Sequence, residues 1–193
     1  MRETAWRVLV ECEIAALPVD LNIIVEWFGA KAYPYQGNWN QLRAMGLEAA
    51  SQRTAGMAFY RGGIPYILYD SGNPPGKIRF TIAHELGHIA LGHLLPGAYT
   101  VQNREPQEAD NPREQAANQF AVDLLAPACV LRGMGVHTAP EIAAVCGISA
   151  QAAQFRAQQM ELLRRRNQFL SHSLERVVYR QFQPFITGWP EPL

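Results

Sequence analysis

Residues 79–93 read RFTIAHELGHIALGH, and this stretch decides how the surrounding chain is interpreted. It contains His-Glu-x-x-His, formed by His84, Glu85 and His88, in an apolar segment that predicts a mostly buried helix over residues 78–91. Residues four apart share one face of a helix, so both imidazoles can bind one metal ion. A metal explains why these groups occupy an apolar helix, because unpaired imidazole and carboxylate groups are costly to bury.

The motif predicts a catalytic zinc site. Zinc in such sites takes three protein ligands and leaves one position for water. Glu85 follows the first ligand directly and is predicted to be the general base, which accepts a proton from activated water and later passes it to the leaving amine. The spacing therefore indicates a zinc-dependent hydrolase, and peptide bonds are the commonest substrate of such a site.

The third ligand does not follow from the motif. The extended metzincin pattern fails, because Leu91 and Leu94 stand where that pattern needs Gly and His. His93 follows Gly92, which is predicted to end the helix, and it is better interpreted as a polar residue at the helix end.

Four carboxylates downstream remain as candidate ligands: Glu105, Glu108, Asp110 and Glu114. Glu114 begins a second apolar helix, predicted over residues 112–125, which could direct it toward the first helix. The segment from Asn111 to Glu114 also resembles a capping box, with Asn111 as the N-cap. The pattern alone therefore favours neither role for Glu114.

The chain around the two apolar helices predicts further helices and one hairpin. Apolar and aromatic runs over residues 56–60 and 64–70 flank Gly62-Gly63 and predict a β-hairpin. The stretch over residues 33–40 is expected to be irregular. Further helices are predicted over residues 4–16, 21–28, 139–146 and 149–165.

Composition excludes several classes of protein. The 193 residues are 48% apolar and 18% charged, which is typical of a globular protein and not of a disordered or fibrous one. The N-terminus does not resemble a signal peptide and no apolar run is long enough to span a bilayer, so we expect a cytoplasmic protein with no membrane partner. The widely spaced Cys12, Cys129 and Cys146 are expected to be reduced and buried.

A second motif lies near the C-terminus. Residues 141–150, EIAAVCGISA, resemble a helix-turn-helix unit. The helix that would contact DNA, from Ser149 to Met160, carries Arg156 as its only base, whereas phosphate contacts need cations. The 17 basic and 17 acidic side chains of the chain also cancel. These features argue against a nucleic-acid partner and favour a structural or protein-docking role.

Two blocks of sequence resemble the ImmA/IrrE family of bacterial and phage metallopeptidases. The blocks are RFTIAHELGHIALGH and, over residues 114–127, EQAANQFAVDLLAP, and the order and separation also match. The resemblance implies that His84, His88 and Glu114 bind zinc and that Glu85 is the general base. The chain departs from the family at two positions, since Ala116 replaces a frequent second acid and Ala126 a frequent Met. The first departure removes a rival ligand.

Patterns and resemblance together predict an α+β, mostly α, zincin-like metallopeptidase domain over residues 1–130. A small β-hairpin or sheet is expected beside the motif helix. Residues 131–193 are expected to form a helical, helix-turn-helix-like appendage and a tail. The resemblance implies a zinc-dependent endopeptidase that cleaves a helix-turn-helix transcriptional repressor and so relieves repression of a mobile element or stress regulon. Two alternatives are a non-catalytic anti-repressor that sequesters the repressor and a DNA-binding module.

Overall fold

A computed structural model describes residues 2–44, 46–47, 54–94, 99–101 and 111–189. They form an α+β fold that is mostly helical, which confirms the predicted class. The strands are β1 (Lys31–Pro34), β2 (Gly56–Arg61), β3 (Ile64–Tyr69) and β4 (Tyr99–Val101). The helices are α1 (Arg2–Glu11), α2 (Leu21–Trp27), α3 (Trp39–Ala44), α4 (Pro75–Ala90), α5 (Pro112–Leu125), α6 (Ala128–Gly133), α7 (Ala139–Cys146), α8 (Ala150–Arg165), α9 (Ser173–Gln181) and α10 (Gln183–Thr187).

Contacts divide the chain into two compact units. One unit comprises residues 21–121, and the other comprises residues 1–20 together with residues 122–193. Helix α5 contributes its first ten residues to the former unit and its last turn to the latter. The division into domains at residue 130 stays a prediction, whereas the contacts group the N-terminal residues with the C-terminal helices.

Helix α4 carries the His-Glu-x-x-His motif in its buried C-terminal half. It begins at Pro75, where the missing proline N–H costs no hydrogen bond, and it ends before Gly92, whose φ of +68° lies in the left-handed region. Every residue over 83–89 is buried, whereas residues 75–80 are exposed or half-buried. A helical segment that is buried all round belongs to the core, so the predicted mostly buried helix is confirmed around the motif.

A four-stranded sheet in the order β1-β3-β2-β4 lies against α4. Strands β2 and β3 form the predicted hairpin, and the positive φ of both Gly62 and Gly63 suits a two-residue turn. The expectation of a less regular stretch through Asn40 is confirmed only in its middle. Residues 35–38 are irregular, but the stretch begins with the end of β1, which pairs in parallel with β3, and ends with the start of α3.

The two faces of the sheet have different partners. One face carries a core cluster with α3 and the segment after it, made of Tyr35, Leu42, Leu47, Met57, Phe59 and Leu68. The opposite face meets α4 at Gly56, where an added Cβ would collide with Thr81 Cγ2 and lie 3.4 Å from Glu85 Oε1. Glycine at this strand position therefore provides the room in which Glu85 is buried.

Helices α4 and α5 approach each other closely at Gly87. A Cβ added there would lie 3.2 Å from both the Cα and the carbonyl oxygen of Ala117, and 3.0 Å from Phe120 Cδ1. Such contacts are tighter than ordinary van der Waals packing, so only glycine fits without adjustment. This close approach brings the first turn of α5 next to the motif.

In the other unit, α1 packs against α9. The side-chain amide of Gln181 donates to the carbonyl oxygens of Leu9 and Ile14, at 2.8 and 2.7 Å, and so satisfies acceptors around the end of α1. The predicted helix over residues 4–16 was too long. Helix α1 ends at Glu11, because Glu13 adopts a φ of +53° that a right-handed helix does not allow.

Helices α7 and α8 form the predicted helix-turn-helix-like pair. A capping box of Thr138 and Glu141 begins α7, and Gly147, with a φ of +61°, ends it. The Ser149 hydroxyl accepts from Ala152 N and begins α8. These local signals explain why the sequence predicts both helices with nearly the observed bounds.

All three cysteines are buried and form no disulfide, as predicted. Burial raises the pKa of Cys12 to about 11 and the pKa of Cys129 to about 12, and these thiols therefore stay protonated at neutral pH. Within the part of the chain that the structure describes, no helix is both long and apolar enough to cross a membrane.

Candidate metal centre

Helix α4 presents two imidazoles one turn apart. His84 and His88 are each 1% exposed, and their Nε2 atoms lie 2.9 Å apart. The rings meet edge to face, with centroids 4.7 Å apart. The i, i+4 spacing therefore brings both Nε2 atoms to one point, as the sequence predicts.

Glu114 enters this point from the first turn of α5. Its Oε2 lies 3.2 Å from His84 Nε2, and its Oε1 lies 3.2 Å from His88 Nε2. Asn111 Oδ1 accepts from the backbone N–H of Arg113 at the start of the same helix. The structure thus brings Glu114 to the histidines and gives Asn111 a capping contact. The rival candidates Glu105, Glu108 and Asp110 lie outside the described residues.

The three side chains can hold one metal ion. Ligand atoms of His84, His88 and Glu114 all lie within 4.8 Å of one another. In a tetrahedral zinc site with bonds of about 2.0–2.1 Å, neighbouring ligand atoms lie about 3.3–3.4 Å apart. The observed separations of 2.9 to 3.2 Å are close to that geometry. Two imidazoles and a glutamate also form a donor set that zinc uses in catalytic sites.

The Glu114 carboxylate is held in its charged form. Burial alone raises the pKa of Glu114, but hydrogen bonds and attraction from His84 and His88 outweigh burial and hold the pKa well below its usual range. The group is therefore an anion at neutral pH. An anionic oxygen beside two ring nitrogens is an arrangement that a cation stabilises.

Asn118 orients the first histidine and has no role in the sequence-based prediction. Its Oδ1 lies 2.9 Å from His84 Nδ1, so the imidazole donates from Nδ1 and its Nε2 faces the other two ligand atoms. Asn118 follows Glu114 by four residues, which places both on one face of α5. That spacing is the signal in the sequence that could have indicated the contact.

His93 lies against the second histidine. It stands at the helix end, as predicted, but its Nδ1 also lies 3.2 Å from His88 Nδ1, and the two ring centroids are 5.1 Å apart. Burial is the main cause that lowers the pKa of His93, and the nearby His88 and Arg113 lower it further. A neutral ring is thereby favoured at this position.

Glu85, the predicted general base, is completely buried on α4. Its Oε1 faces strand β2 at Gly56, on the sheet side of the helix. Burial raises the pKa of Tyr35, whose hydroxyl hydrogen bonds to Thr54 at 3.0 Å, and the charge of Glu85 raises it further. Glu85 therefore lies in a protected environment on the motif helix, next to His84 in the sequence.

A small mixed sheet, a helix with His-Glu-x-x-His and an acidic side chain from the next helix define the class of zincin-like metallopeptidases. The chain belongs to a family of peptidases described as the IrrE N-terminal-like domain, whose sequence profile matches residues 39–158. This match confirms the resemblance stated above and spans the whole candidate centre. A search among curated proteins finds no match to the chain.

Proposed function

We propose that the protein is a zinc-dependent endopeptidase in which His84, His88 and Glu114 bind the metal and Glu85 is the general base. The observation that carries this proposal is the convergence of three buried or half-buried ligand atoms within 4.8 Å at the motif helix. Membership of a peptidase family supports the same reaction class. Zinc is proposed because two imidazoles and one carboxylate suit it better than they suit Mg²⁺ or Ca²⁺, which prefer oxygen ligands.

Each residue has a distinct task in the proposed reaction. Bound zinc supplies a Lewis acid that lowers the pKa of water and polarises a peptide carbonyl. Glu85 accepts a proton on a carboxylate oxygen and returns it to the nitrogen of the leaving amine. Asn118 holds the His84 ring so that Nε2 faces the ligand point, and His93 contacts the ring of His88.

We further propose that the substrate is a helix-turn-helix repressor in the cytoplasm and that the helix pair α7–α8 contributes to its recognition. Arg156, the base that would have contacted DNA, is 1% exposed and bound to Asp123, so it is not available to phosphate. The outer face of α8 instead carries Phe155 and Leu162, exposed by 47% and 50%. These residues are seven apart and share one face, which suits a protein surface better than a polyanion.

The test uses the purified full-length chain and a panel of helix-turn-helix repressors from the same genome. Metal analysis should find about one zinc per chain, and mass spectrometry should find at least one repressor cut at a defined bond. Glu85→Gln should retain zinc and lose cleavage, because it removes the proton acceptor and leaves the three ligands in place. An active Glu85→Gln enzyme would refute the mechanism.

The same experiment separates the alternatives. Zinc removal by a chelator should stop cleavage, and added zinc should restore it. Stable complex formation without cleavage in the zinc-loaded wild type would indicate a sequestering anti-repressor instead. Tight binding to duplex DNA that weakens steeply with salt would indicate a DNA-binding module.

A further inference from the structure

We infer that His93 is a positioning residue for the metal centre: its Nδ1 accepts the Nδ1–H of His88 and thereby leaves His88 Nε2 unprotonated for the metal. The inference rests on the proposed zinc site. Nothing in the motif spacing assigns this role, because His93 lies beyond the helix. The contact follows from how α4 ends.

The end of α4 is a Schellman motif. The backbone N–H of His93 donates to the carbonyl oxygen of His88 at 2.9 Å, and the N–H of Gly92 donates to that of Ile89 at 3.2 Å. Gly92 supplies the left-handed residue with a φ of +68° that this motif requires. The motif brings the residue after the glycine back onto the residue three positions inside the helix end, and here those residues are His93 and His88.

In most Schellman motifs this contact is hydrophobic. Here it joins two imidazoles whose Nδ1 atoms lie 3.2 Å apart. Because His88 is 1% exposed, an apolar residue at position 93 would bury the His88 Nδ1–H without this acceptor. A buried donor that loses its acceptor is destabilising, because its desolvation is no longer compensated.

The contact also selects a tautomer. A hydrogen bond between two Nδ1 atoms needs one donor and one acceptor. If His88 donates, its Nε2 is available to bind a metal ion at the point where Glu114 Oε1 and His84 Nε2 also lie. If His93 donated instead, neutral His88 would carry its proton on Nε2, where it blocks metal binding. The donor geometry for His84 is the same, with Asn118 in the place of His93.

The experiment compares two substitutions of His93 in the full-length chain. His93→Asn places Oδ1 where the imidazole has Nδ1 and should keep zinc affinity within about threefold of wild type. His93→Phe keeps a ring at this contact but has no acceptor. It should weaken zinc binding by about 10- to 100-fold, as loss of a residue that orients a ligand usually does. Affinity is measured by competition with a chromophoric zinc chelator, and His137→Phe serves as the control in a histidine outside the centre.

A second measurement uses the zinc-loaded wild type. Long-range ¹H–¹⁵N correlation spectra report which ring nitrogens carry protons, and we expect a proton on His88 Nδ1 and none on His93 Nδ1. A proton on His93 Nδ1 in the zinc-loaded chain, equal zinc affinity for His93→Phe and wild type, or an equal loss for both variants would each overturn the inference. A wild type that takes up no zinc would instead refute the proposed function itself.

Discussion

Two clusters of ionisable side chains among the described residues differ in how their charges are balanced. Asp123 and Arg156 are each 1% exposed and form an ion pair, in which Arg156 Nη1 donates to Asp123 Oδ1 at 3.0 Å and Nε donates to Ala126 O at 2.6 Å, while Arg2 Nε lies 4.0 Å from Asp123 Oδ2. His84, His88 and Glu114 instead bring three potential metal ligands to one point. In a buried ion pair each charge offsets part of the cost of burying the other, whereas convergent imidazole and carboxylate groups form an arrangement that a cation stabilises.

The ion pair is expected to contribute to folding, and the metal centre to zinc binding. The pair joins the last turn of α5 to α8, with the opposite charges 3.0 Å apart. Replacing it should change folding and leave the metal centre intact. Replacing members of the metal centre should change zinc binding and leave most of the folding free energy intact.

The largest expected effect is on zinc binding in the double variant His84→Ala/His88→Ala. If the free energy of zinc binding is about 10–16 kcal/mol for four ligands, each ligand contributes roughly 2.5–4 kcal/mol. Loss of two should weaken binding by on the order of 10⁴-fold or more, and cleavage should fall below detection. Equilibrium dialysis with metal analysis measures the affinity. The His137→Ala control should keep one zinc per chain. If the double variant also retained zinc, the two histidines would not be needed for metal binding, and the cluster would not differ from the ion pair in this respect.

The next effect is on folding, in Arg156→Met. Breaking a buried ion pair by removing one partner costs about 3–5 kcal/mol, because Asp123 stays buried as a charge. Denaturant unfolding should show that loss, with zinc affinity of the folded fraction unchanged. The double variant Asp123→Leu/Arg156→Met removes both charges and should recover most of the stability. If the double variant were as unstable as Arg156→Met, the pair would contribute more to the free energy of unfolding than the mutual neutralisation of its two charges.

Sequence and structure agree where signals are local. The bounds of α7 follow from a capping box at Thr138 and a left-handed Gly147, both of which act within a few residues of the helix. Strand β1 was missed because its partner β3 lies more than thirty residues further along the chain, so no local pattern specifies the pairing. A parallel partner at that separation becomes visible only in three dimensions.

In the candidate site, too, the local features could be predicted from the sequence and the contacts between distant segments could not. The spacing of His84 and His88 is a helical pattern and predicts that their rings lie close together. In the structure their Nε2 atoms are 2.9 Å apart. The role of Glu114 could not be decided from the pattern, since the same position suits a cap, and only the resemblance favoured it. The contact of Gly87 connects two helices, so a single sequence does not reveal it. For Asn118, which also contacts the other helix, the sequence offers only the spacing of four residues from Glu114 as a signal.

A smaller effect is expected for Asn118→Ala, which tests whether the metal centre depends on its supporting contacts. Removing the acceptor of His84 Nδ1–H should weaken zinc binding by about 10- to 100-fold. Asn118→Asp keeps an acceptor oxygen and should bind zinc more tightly than Asn118→Ala. Chelator competition measures both affinities. Equal affinities for the alanine variant and wild type would show that the His84 ring is oriented without Asn118.

The smallest effect on folding, and the one whose sign is least obvious, is expected for Gly87→Ala. Alanine is favoured over glycine in a helix by about 1 kcal/mol, whereas overpacking a core contact costs about 1–3 kcal/mol. Two of the three close atoms belong to the Ala117 backbone, which cannot rotate away as the Phe120 ring can. Overpacking should therefore prevail, with a net loss of roughly 0–2 kcal/mol in the free energy of unfolding. Denaturant unfolding measures that loss.

Zinc affinity is the more sensitive measurement for Gly87→Ala, because displacement of α5 also moves Glu114 away from the histidines. We expect the affinity for zinc to fall about tenfold, which is the lower end of the loss that follows removal of a contact supporting a metal ligand. Adding Phe120→Leu should not restore it, since that change relieves only the contact with the ring. If Gly87→Ala were instead stabilising and bound zinc normally, the close approach of α4 and α5 would not be what aligns Glu114. The metal centre would then tolerate movement of its two helices.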